Sequence, residues 1–277
     1  RGGHSSEIFK NLSQAGRLLV LDQDPQAVAH ARKLFAGDGR VMVESANFSS
    51  IVQIAEAHGW RNKVKGILFD LGVSSPQLDD PKRGFSFVQD GPLDMRMNTN
   101  EGISAADWIQ RASLHELEKV LKVYGEERHA KKIARAVLAQ RETSPLRTTG
   151  QLAEIVKRSI PASGEKKHPA TRTFQAIRIF INKELQALET ALHGSVEVLA
   201  EYGRLLVVTF HSLEDQMVKS VYRKHSQSDV PRKLPVVGLP ESKLKRIGKP
   251  VSPSSGEIAA NKRARSAKLY VMERAAC

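Results

Sequence analysis

The residues most suited to chemistry stand where a short apolar segment ends. Residues 66–69 (GILF) are typical of a buried strand, and Asp70 follows them directly. Residues 71–102 show neither a two-residue nor a helical period, which is typical of a binding loop or lid. Ligands of open α/β sheets bind beyond the carboxyl ends of the strands, so Asp70 is a candidate catalytic residue. A surface loop with a solvated Asp remains the alternative.

The loop after Asp70 carries groups that suit an amine of a nucleobase. Such an amine is a poor nucleophile because its lone pair is delocalised into the ring. Catalysis therefore needs acceptors that hold the amine hydrogens, together with an oriented methyl donor. Asp70, Ser74 and the backbone around Pro76 supply such acceptors. The segment loosely resembles the Asp-Pro-Pro-aromatic motif of amino-methyltransferases, although it lacks the second proline and the aromatic residue.

A second group of residues suits a nucleoside cofactor. Gly2 and Gly3 precede a helical stretch, and Asp22 ends the next apolar strand, 19 residues after Gly3. A glycine turn lets the backbone approach a ligand, and an acidic residue about 20 positions further on binds ribose hydroxyls. A plain turn and a helix cap are the alternative for the glycines. Phe48 follows the strand at 41–43 and could flank an adenine, although a core aromatic is the simpler interpretation.

His211 and Ser212 stand at the end of another apolar strand, in the sequence FHSLED. A serine–histidine hydrolase is rejected because the chain has no G-x-S-x-G elbow. Ser212 and Asp215 instead predict a capping box that opens a helix. His211, at the strand end, is expected to face the substrate.

Residues 168–183 predict an amphipathic helix with a recognition surface. At about 100° per residue, a polar stripe lies beside the apolar face. Its members are Thr171, Gln175, Arg178 and Asn182. Uncharged hydrogen-bonding groups mixed with arginine favour recognition of a polar ligand over a merely solvated face.

The elements that must position these residues alternate between strand and helix. Strands predicted at 17–21, 41–43 and 64–69 alternate with helices at 25–35 and 51–58, which indicates a parallel sheet with right-handed crossovers. Only helices are predicted from 103 to 199, at 127–141, at 151–159, from 169 onward and at 184–199. A strand at 203–210, a helix at 212–224 and a strand at 267–273 resume the sheet, and residues 226–256 are predicted to form a mobile basic loop. We therefore expect an α/β domain formed by 1-102 and 200-277, and an inserted all-helical domain over 103-199.

The net charge of +13 is concentrated in two regions. Residues 1–102 are neutral, whereas residues 118–178 carry +8 and residues 217–277 carry +10. Two basic regions on a neutral body suggest a polyanionic partner, and the aromatic content of only 5% indicates that phosphate contacts would dominate. No segment is apolar enough to span a membrane, and no signal peptide is visible. The single cysteine, Cys277, excludes an intrachain disulfide and a cysteine metal cluster, which suits a reducing cytosol.

Taken together, these segments match a known family over essentially the whole chain. They resemble the ribosomal RNA small subunit methyltransferase H (MraW) family, through residues 1–5, 21–25, 68–80, 83–97, 124–128, 168–182, 209–215 and 263–266. The resemblance implies a class I (Rossmann-like) fold that uses S-adenosyl-L-methionine. It also implies N4-methylation of a decoding-site cytidine in the 16S rRNA of the small ribosomal subunit, by a cytoplasmic protein that is usually a homodimer.

The resemblance also implies roles for individual residues. Contacts with the cofactor are expected for Gly2, Gly3, His4, Asp22, Phe48, Asp70 and Gln77. Asp70, Ser74 and Pro76 are the candidate catalytic residues, and no metal is expected. Contacts with RNA are expected for His168, Arg172, Gln175, Arg178 and His211.

One departure and two alternatives qualify the match. Family members carry about thirty further residues upstream, with a first strand and an Asp-Gly-Thr-Phe-Gly lead into the glycine turn, so that strand is expected to be missing here. A non-catalytic rRNA-binding assembly factor on the same fold is one alternative. A nicotinamide-dependent oxidoreductase is the other, and it would predict a G-x-G-x-x-G motif that this sequence does not contain.

Overall fold

A computed structural model describes residues 2–161, 168–226 and 242–276, which pack as two compact units. The first unit contains the residues up to Ser45 together with Val73–Glu184, and the second contains Ala46–Gly72 and the residues from Leu185 onward. These units divide the chain at other points than the predicted functional domains. The domain assignment from sequence therefore stays a prediction.

The first unit begins with a small parallel βα layer. Strands β1 (Leu18–Asp22) and β2 (Val41–Ser45) pair in parallel, with Asp22 opposite Ser45 at their carboxyl ends. Helix α1 (Gly3–Lys10) precedes β1, and α2 (Pro25–Leu34) connects the two strands. Proline in the first turn suits the start of α2, because its missing N–H would have no partner there.

The rest of the first unit is helical. Its members are α4 (Ser75–Asp79), α5 (Ala105–Arg111), α6 (Leu114–Gly125), α7 (Ala130–Thr143), α8 (Thr149–Ser159) and α9 (Ala170–Ile181). Capping boxes start α6 and α8. The apolar stripes of these helices meet in one core that includes Ile109, Ile133, Leu152 and Ile177. Burial of these stripes is the main stabilising term for helices of this length.

The second unit is a four-stranded sheet with helices. Its strand order is β3 (Val64–Asp70), β4 (Leu199–Thr209), β6 (Lys268–Arg274) and β5 (Leu244–Arg246). Strands β3 and β4 are parallel, and β6 runs antiparallel to both of its neighbours. The helices are α3 (Ile51–Ala57), α10 (Glu184–Val198), α11 (Ser212–Ser226) and α12 (Ser255–Ala260). Their core contains Phe69, Leu192, Val207 and Met272.

The structure confirms most predicted elements and corrects three points. Parallel pairing is confirmed for β1 with β2 and for β3 with β4, and β6 lies within one residue of its predicted bounds. The non-periodic stretch 71–102 contains a short helix, α4, and a 3-10 turn at Pro81–Arg83. The predicted mobile loop 226–256 contains β5 and the start of α12, while its part from 227 to 241 lies outside the described residues. The third correction, at Asp215, concerns the start of α11 and is described with the site.

Candidate cofactor and substrate site

Asp22 ends β1 as an accessible carboxylate. One of its oxygens, Oδ1, accepts a hydrogen bond from the backbone N–H of Asp24 at 2.8 Å. The side chain is solvent-exposed, yet surrounding protein raises its pKa by desolvation, and the charge of Asp24 adds to this, while backbone N–H groups oppose it. The second oxygen remains suited to a hydroxyl donor. A ribose diol is the group that such a carboxylate at a strand end would bind.

The glycine turn leads directly into α1. Gly2 is the N-cap, with a φ of 73°, and a Cβ there would lie 2.7 Å from Leu34 Cδ2. Nothing lies within 4 Å of the Cβ position at Gly3, so the backbone there is open to a ligand. The first N–H groups of a helix have no partner within the helix and favour negative charge. The open backbone at Gly3 is compatible with the expected cofactor contacts of Gly2, Gly3 and His4, which stay predictions.

Asp24, two residues after Asp22, holds the later loop in place through a buried ion pair. Its Oδ2 accepts from Arg83 Nη1 and from Gln77 Nε2, both at 2.7 Å, and its Oδ1 accepts from Gln26 N–H at 2.9 Å. The side chains of Arg83 and Asp24 are only 5% and 3% exposed. We call Asp24, Gln77 and Arg83 the buried clamp. It joins the turn that carries Asp22 to the loop that begins at Val73.

Hydrogen bonds also fix the other end of that loop, at Met95–Met97. Arg83 Nη2 donates to the carbonyls of Arg96 and Met97 at 3.1 and 3.0 Å. Asn182, at the end of α9, accepts from Met97 N–H and donates to the Met95 carbonyl, both at 2.7 Å. Gly84 is required at its turn, since its φ is 73° and a Cβ would lie 2.4 Å from a backbone oxygen. Hydrogen bonds of the buried clamp and of Asn182 therefore fix the expected lid loop both near its start and at Met97.

The predicted acceptors Ser74 and Pro76 take part in the start of α4. The Ser74 N–H and hydroxyl donate to Gln77 Oε1 at 2.8 and 3.2 Å. The carbonyls of Ser74 and Pro76 accept from Leu78 and Asp80. Gln77 is buried within these contacts and the clamp, so its expected contact with the cofactor stays a prediction. These groups already have partners within α4, so their expected role as acceptors for an amine stays a prediction.

Asp70 and Phe48 belong to the second unit. Asp70 ends β3 beside Val208 of β4 and is exposed. Phe48 opens a 3-10 turn, and its ring lies 5.5 Å from that of Phe69 on the unit's core. The core-aromatic interpretation therefore fits Phe48, and its contact with adenine stays a prediction.

The polar stripe of α9 is partly engaged within its own unit. Arg178 forms a bidentate ion pair with Glu184 at 2.8 and 2.9 Å, and both side chains are mostly buried. Gln175 donates to the Tyr124 carbonyl at 3.3 Å. Arg172 is partly exposed, and His168 is exposed at the start of the helix. The charge of Arg178 is therefore already paired, whereas His168 and Arg172, which lie outside that stripe, are accessible to solvent.

His211 and Asp215 serve the start of α11. The Glu214 carboxylate accepts from the N–H groups of Phe210 and His211, and Glu214 N–H donates to His211 Nδ1 at 3.4 Å. These reciprocal bonds correct the predicted Ser212–Asp215 capping box. Asp215 instead binds the Thr209 hydroxyl and the Lys268 amine. The His211 side chain is only 11% exposed, and its expected contact with RNA stays a prediction.

The sequence interpretation missed the clamp, Asn182 as an anchor, and the ring pair of Phe87 and His168. A signal existed for Asp24, because an aspartate before a proline predicts a helix cap. Its bonds to Gln77 and Arg83, more than 50 residues away, carry no local signal. Among the described residues no cluster of histidine, cysteine, aspartate or glutamate can hold a metal ion, and no helix there has the length and apolar character of a membrane span.

Comparison with known proteins identifies the family of this chain. Residues 1–275 match the MraW methylase family. A protein of Shewanella loihica named ribosomal RNA small subunit methyltransferase H is 50% identical, over 99% of this chain and 88% of its own length. Proteins of the same name from Nitrosococcus oceani and Coxiella burnetii are 49% and 48% identical, over 99% of the chain and 88% and 90% of their own lengths. The chain has mixed α/β content consistent with a Rossmann-like methyltransferase, and it belongs to the MraW methylase family.

Proposed function

We propose that this protein transfers a methyl group from S-adenosyl-L-methionine to N4 of a decoding-site cytidine in 16S rRNA. The observation that carries the proposal is the similarity, over 99% of the chain, to proteins named ribosomal RNA small subunit methyltransferase H. The exposed carboxylate of Asp22 and the open N-terminus of α1 support a nucleoside methyl donor. When bound, that donor supplies the electrophilic methyl group.

Asp22 and the glycine turn would orient the donor. The Asp22 carboxylate would accept hydrogen bonds from the two ribose hydroxyls, which suits a group held at a strand end. The N–H groups at the start of α1 would bind the carboxylate of the donor's methionine moiety. The buried clamp fixes the Asp22 turn through Asp24, so the Asp22 carboxylate would be oriented before the donor binds.

Asp70 would act on the cytidine amine. Its carboxylate would accept a hydrogen bond from the amine and so favour the geometry in which the nitrogen lone pair faces the methyl group. The amine must lose one proton for each methyl group it gains. Asp70, exposed at the end of β3, is the group we propose to receive it.

The helical region and the basic tail would bind the RNA. Residues 118–178 and 217–277 carry net charges of +8 and +10, whereas residues 1–102 are neutral. A cytidine must leave its stack to reach an amine-directed site, so a surface must hold the neighbouring nucleotides meanwhile. His168, just before α9, and Arg172 on α9 are accessible to solvent and suit this role.

The proposal also covers the oligomeric state of the protein and its location in the cell. A substrate in the small ribosomal subunit implies a cytoplasmic protein, and we infer a homodimer from the family resemblance. Light scattering of the purified protein tests the dimer directly.

Methyl transfer can be tested with radiolabelled S-adenosylmethionine and small subunits from cells that lack this modification. Digestion of the rRNA to nucleosides should place the label in N4-methylcytidine. Label in another nucleoside would contradict the assigned base. RNA binding without any label would favour the assembly-factor alternative, and Asp70→Asn should abolish transfer while leaving the fold intact.

A further inference from the structure

One exposed apolar side chain is held on a rigid frame in the first unit. Val88 is 84% exposed, and its N–H donates to Ser86 Oγ at 3.2 Å. Two residues later, Asp90 Oδ1 accepts from the N–H groups of Gly150 at 2.7 Å and Gly91 at 3.0 Å. The Gly150 N–H lowers the pKa of Asp90, which keeps the carboxylate charged for these bonds. Val88 thus lies in solvent at the tip of a segment that is anchored to α8.

An exposed aromatic ring lies next to this tip. The rings of Phe87 and His168 stack with centroids 4.6 Å apart and planes 32° apart. The buried ring of Phe174 meets Phe87 edge-on at 4.8 Å and supports it from the core. His168 Nδ1 accepts from Ala170 N–H at 3.2 Å, which fixes the ring at the start of α9. One side of the His168 ring contacts Phe87, and the residue as a whole is exposed.

We propose that Phe87, Val88 and His168 form a platform on which an unpaired base of the RNA substrate stacks. Unpaired bases stack on aromatic rings, histidine included, and this contact tolerates any base because each has a π-face. Val88 directly follows Phe87 and is exposed, so it adds apolar surface for a base or sugar. The inference rests on the proposed function, since it assigns a binding site for the RNA of that reaction.

Charge identifies the occupant as RNA. The platform meets α9, which lies in the region that carries +8, and Arg172 follows His168 by one helical turn. An apolar peptide partner would need a larger exposed apolar area than one valine provides. A strand of RNA suits both the small apolar and aromatic surface and the positive charge, because its base would lie on the rings and its phosphates near the basic side chains.

The test is binding of a single-stranded rRNA fragment that carries 2-aminopurine beside the target cytidine. His168→Ala should weaken binding roughly 5- to 150-fold, the range for loss of one base–aromatic stack, and should reduce quenching of the fluorophore. His168→Phe should restore both signals. Val88→Asp should weaken binding without unfolding the protein, since that side chain is already in solvent.

Ile103→Ala is the matched control, because Ile103 is an exposed aliphatic residue of the same unit outside the platform. Its affinity and quenching should equal those of the wild type. Equal affinity and quenching for His168→Ala and wild type would overturn the platform while leaving methyl transfer intact. Platform-dependent RNA binding by a wild type that transfers no methyl group would overturn only the proposed reaction.

Discussion

Asp22 combines two properties that rarely occur together. Its side chain is exposed, yet surrounding protein desolvates it enough to raise its pKa, and only backbone N–H groups counter that effect. A carboxylate in such surroundings gains more from a hydroxyl donor than a fully hydrated one, because fewer hydrogen bonds to water are lost on binding. This environment favours the proposed hydrogen bonds from ribose hydroxyls to Asp22.

Asp22→Asn should weaken binding of S-adenosylmethionine roughly ten- to a hundred-fold, since a charge-assisted hydrogen bond contributes about 1.5–3 kcal/mol. Only the ionised carboxylate accepts from both hydroxyls, so wild-type affinity should fall as the pH drops through the pKa of Asp22. That fall should occur above the ordinary value of 3.8, because the pKa is raised. Calorimetry with the full-length protein across this pH range measures both effects.

Asp38→Asn provides the control for Asp22→Asn. Asp38 belongs to the same unit, but hydrogen bonds from Arg40 hold its pKa down at about 2. Its replacement should leave cofactor affinity unchanged at every pH tested. An unchanged affinity in Asp22→Asn would refute the ribose assignment.

Among the elements, the loop between β3 and α5 is the one whose rigidity matters most. Four polar side chains hold it without a regular sheet or long helix: Asp24, Gln77 and Arg83 of the buried clamp, and Asn182 at the end of α9. A buried ion pair adds little net stability, but loss of one partner leaves an uncompensated charge. The clamp therefore acts as a device for fixing one loop conformation.

Arg83→Met should lower the free energy of unfolding by about 3–5 kcal/mol, because Asp24 would stay buried without its cation. Urea unfolding followed by circular dichroism measures the change. Asp24→Asn together with Arg83→Met should recover part of the loss, since no charge is then left buried. Arg40→Met removes a half-exposed partner of Asp38 and should shift the midpoint only slightly. Equal shifts for Arg83→Met and Arg40→Met would exclude the clamp as a special site.

The junction of β4 and α11 should make stability depend on pH. Burial raises the pKa of Asp215, but hydrogen bonds from Lys268 and Thr209 outweigh it, so the pKa is lowered. The stabilisation is then complete above the unfolded-state pKa and is lost as the pH falls through the lower folded-state value. Asp215→Asn should cost roughly 1–2 kcal/mol at neutral pH, and the difference from wild type should shrink in strong acid. Unfolding midpoints from pH 7 to pH 2 test this.

The same elements show what the sequence could predict. Strands β1 and β3 follow from short apolar runs before an aspartate, and α9 follows from its apolar stripe. The predicted Ser212–Asp215 capping box was wrong, because Glu214 accepts from the N–H groups at the start of α11 while Asp215 binds Thr209 and Lys268. The clamp depends on packing between segments more than 50 residues apart, and the ion pair of Arg178 with Glu184 depends on the turn between α9 and α10. Residue periodicity encodes neither.

At the scale of the whole molecule, the excess of basic residues lies outside the region of the chain that would bind the donor. The residues that would bind the donor lie in a region with no net charge, and the two basic regions together exceed the net charge of the chain. Phosphate contacts release counterions, so affinity for RNA should fall steeply with salt, with a slope of about −0.7 per contact on a single strand. Donor binding should depend on salt far less.

Replacing Lys131, Lys132 and Arg172 by glutamine should weaken RNA binding and flatten the salt dependence by about 0.7 for each side chain that contacts a phosphate. Both lysines are exposed on α7, and Arg172 is partly exposed on α9, so the fold should survive. Arg178 is left unchanged because its charge already serves Glu184. The measurement is a salt titration of RNA affinity, with cofactor affinity measured in parallel and expected to stay constant.

The matched control replaces Lys33 and Lys63, from the neutral region, by glutamine. An unchanged slope in the triple variant would place the RNA on another face of the protein.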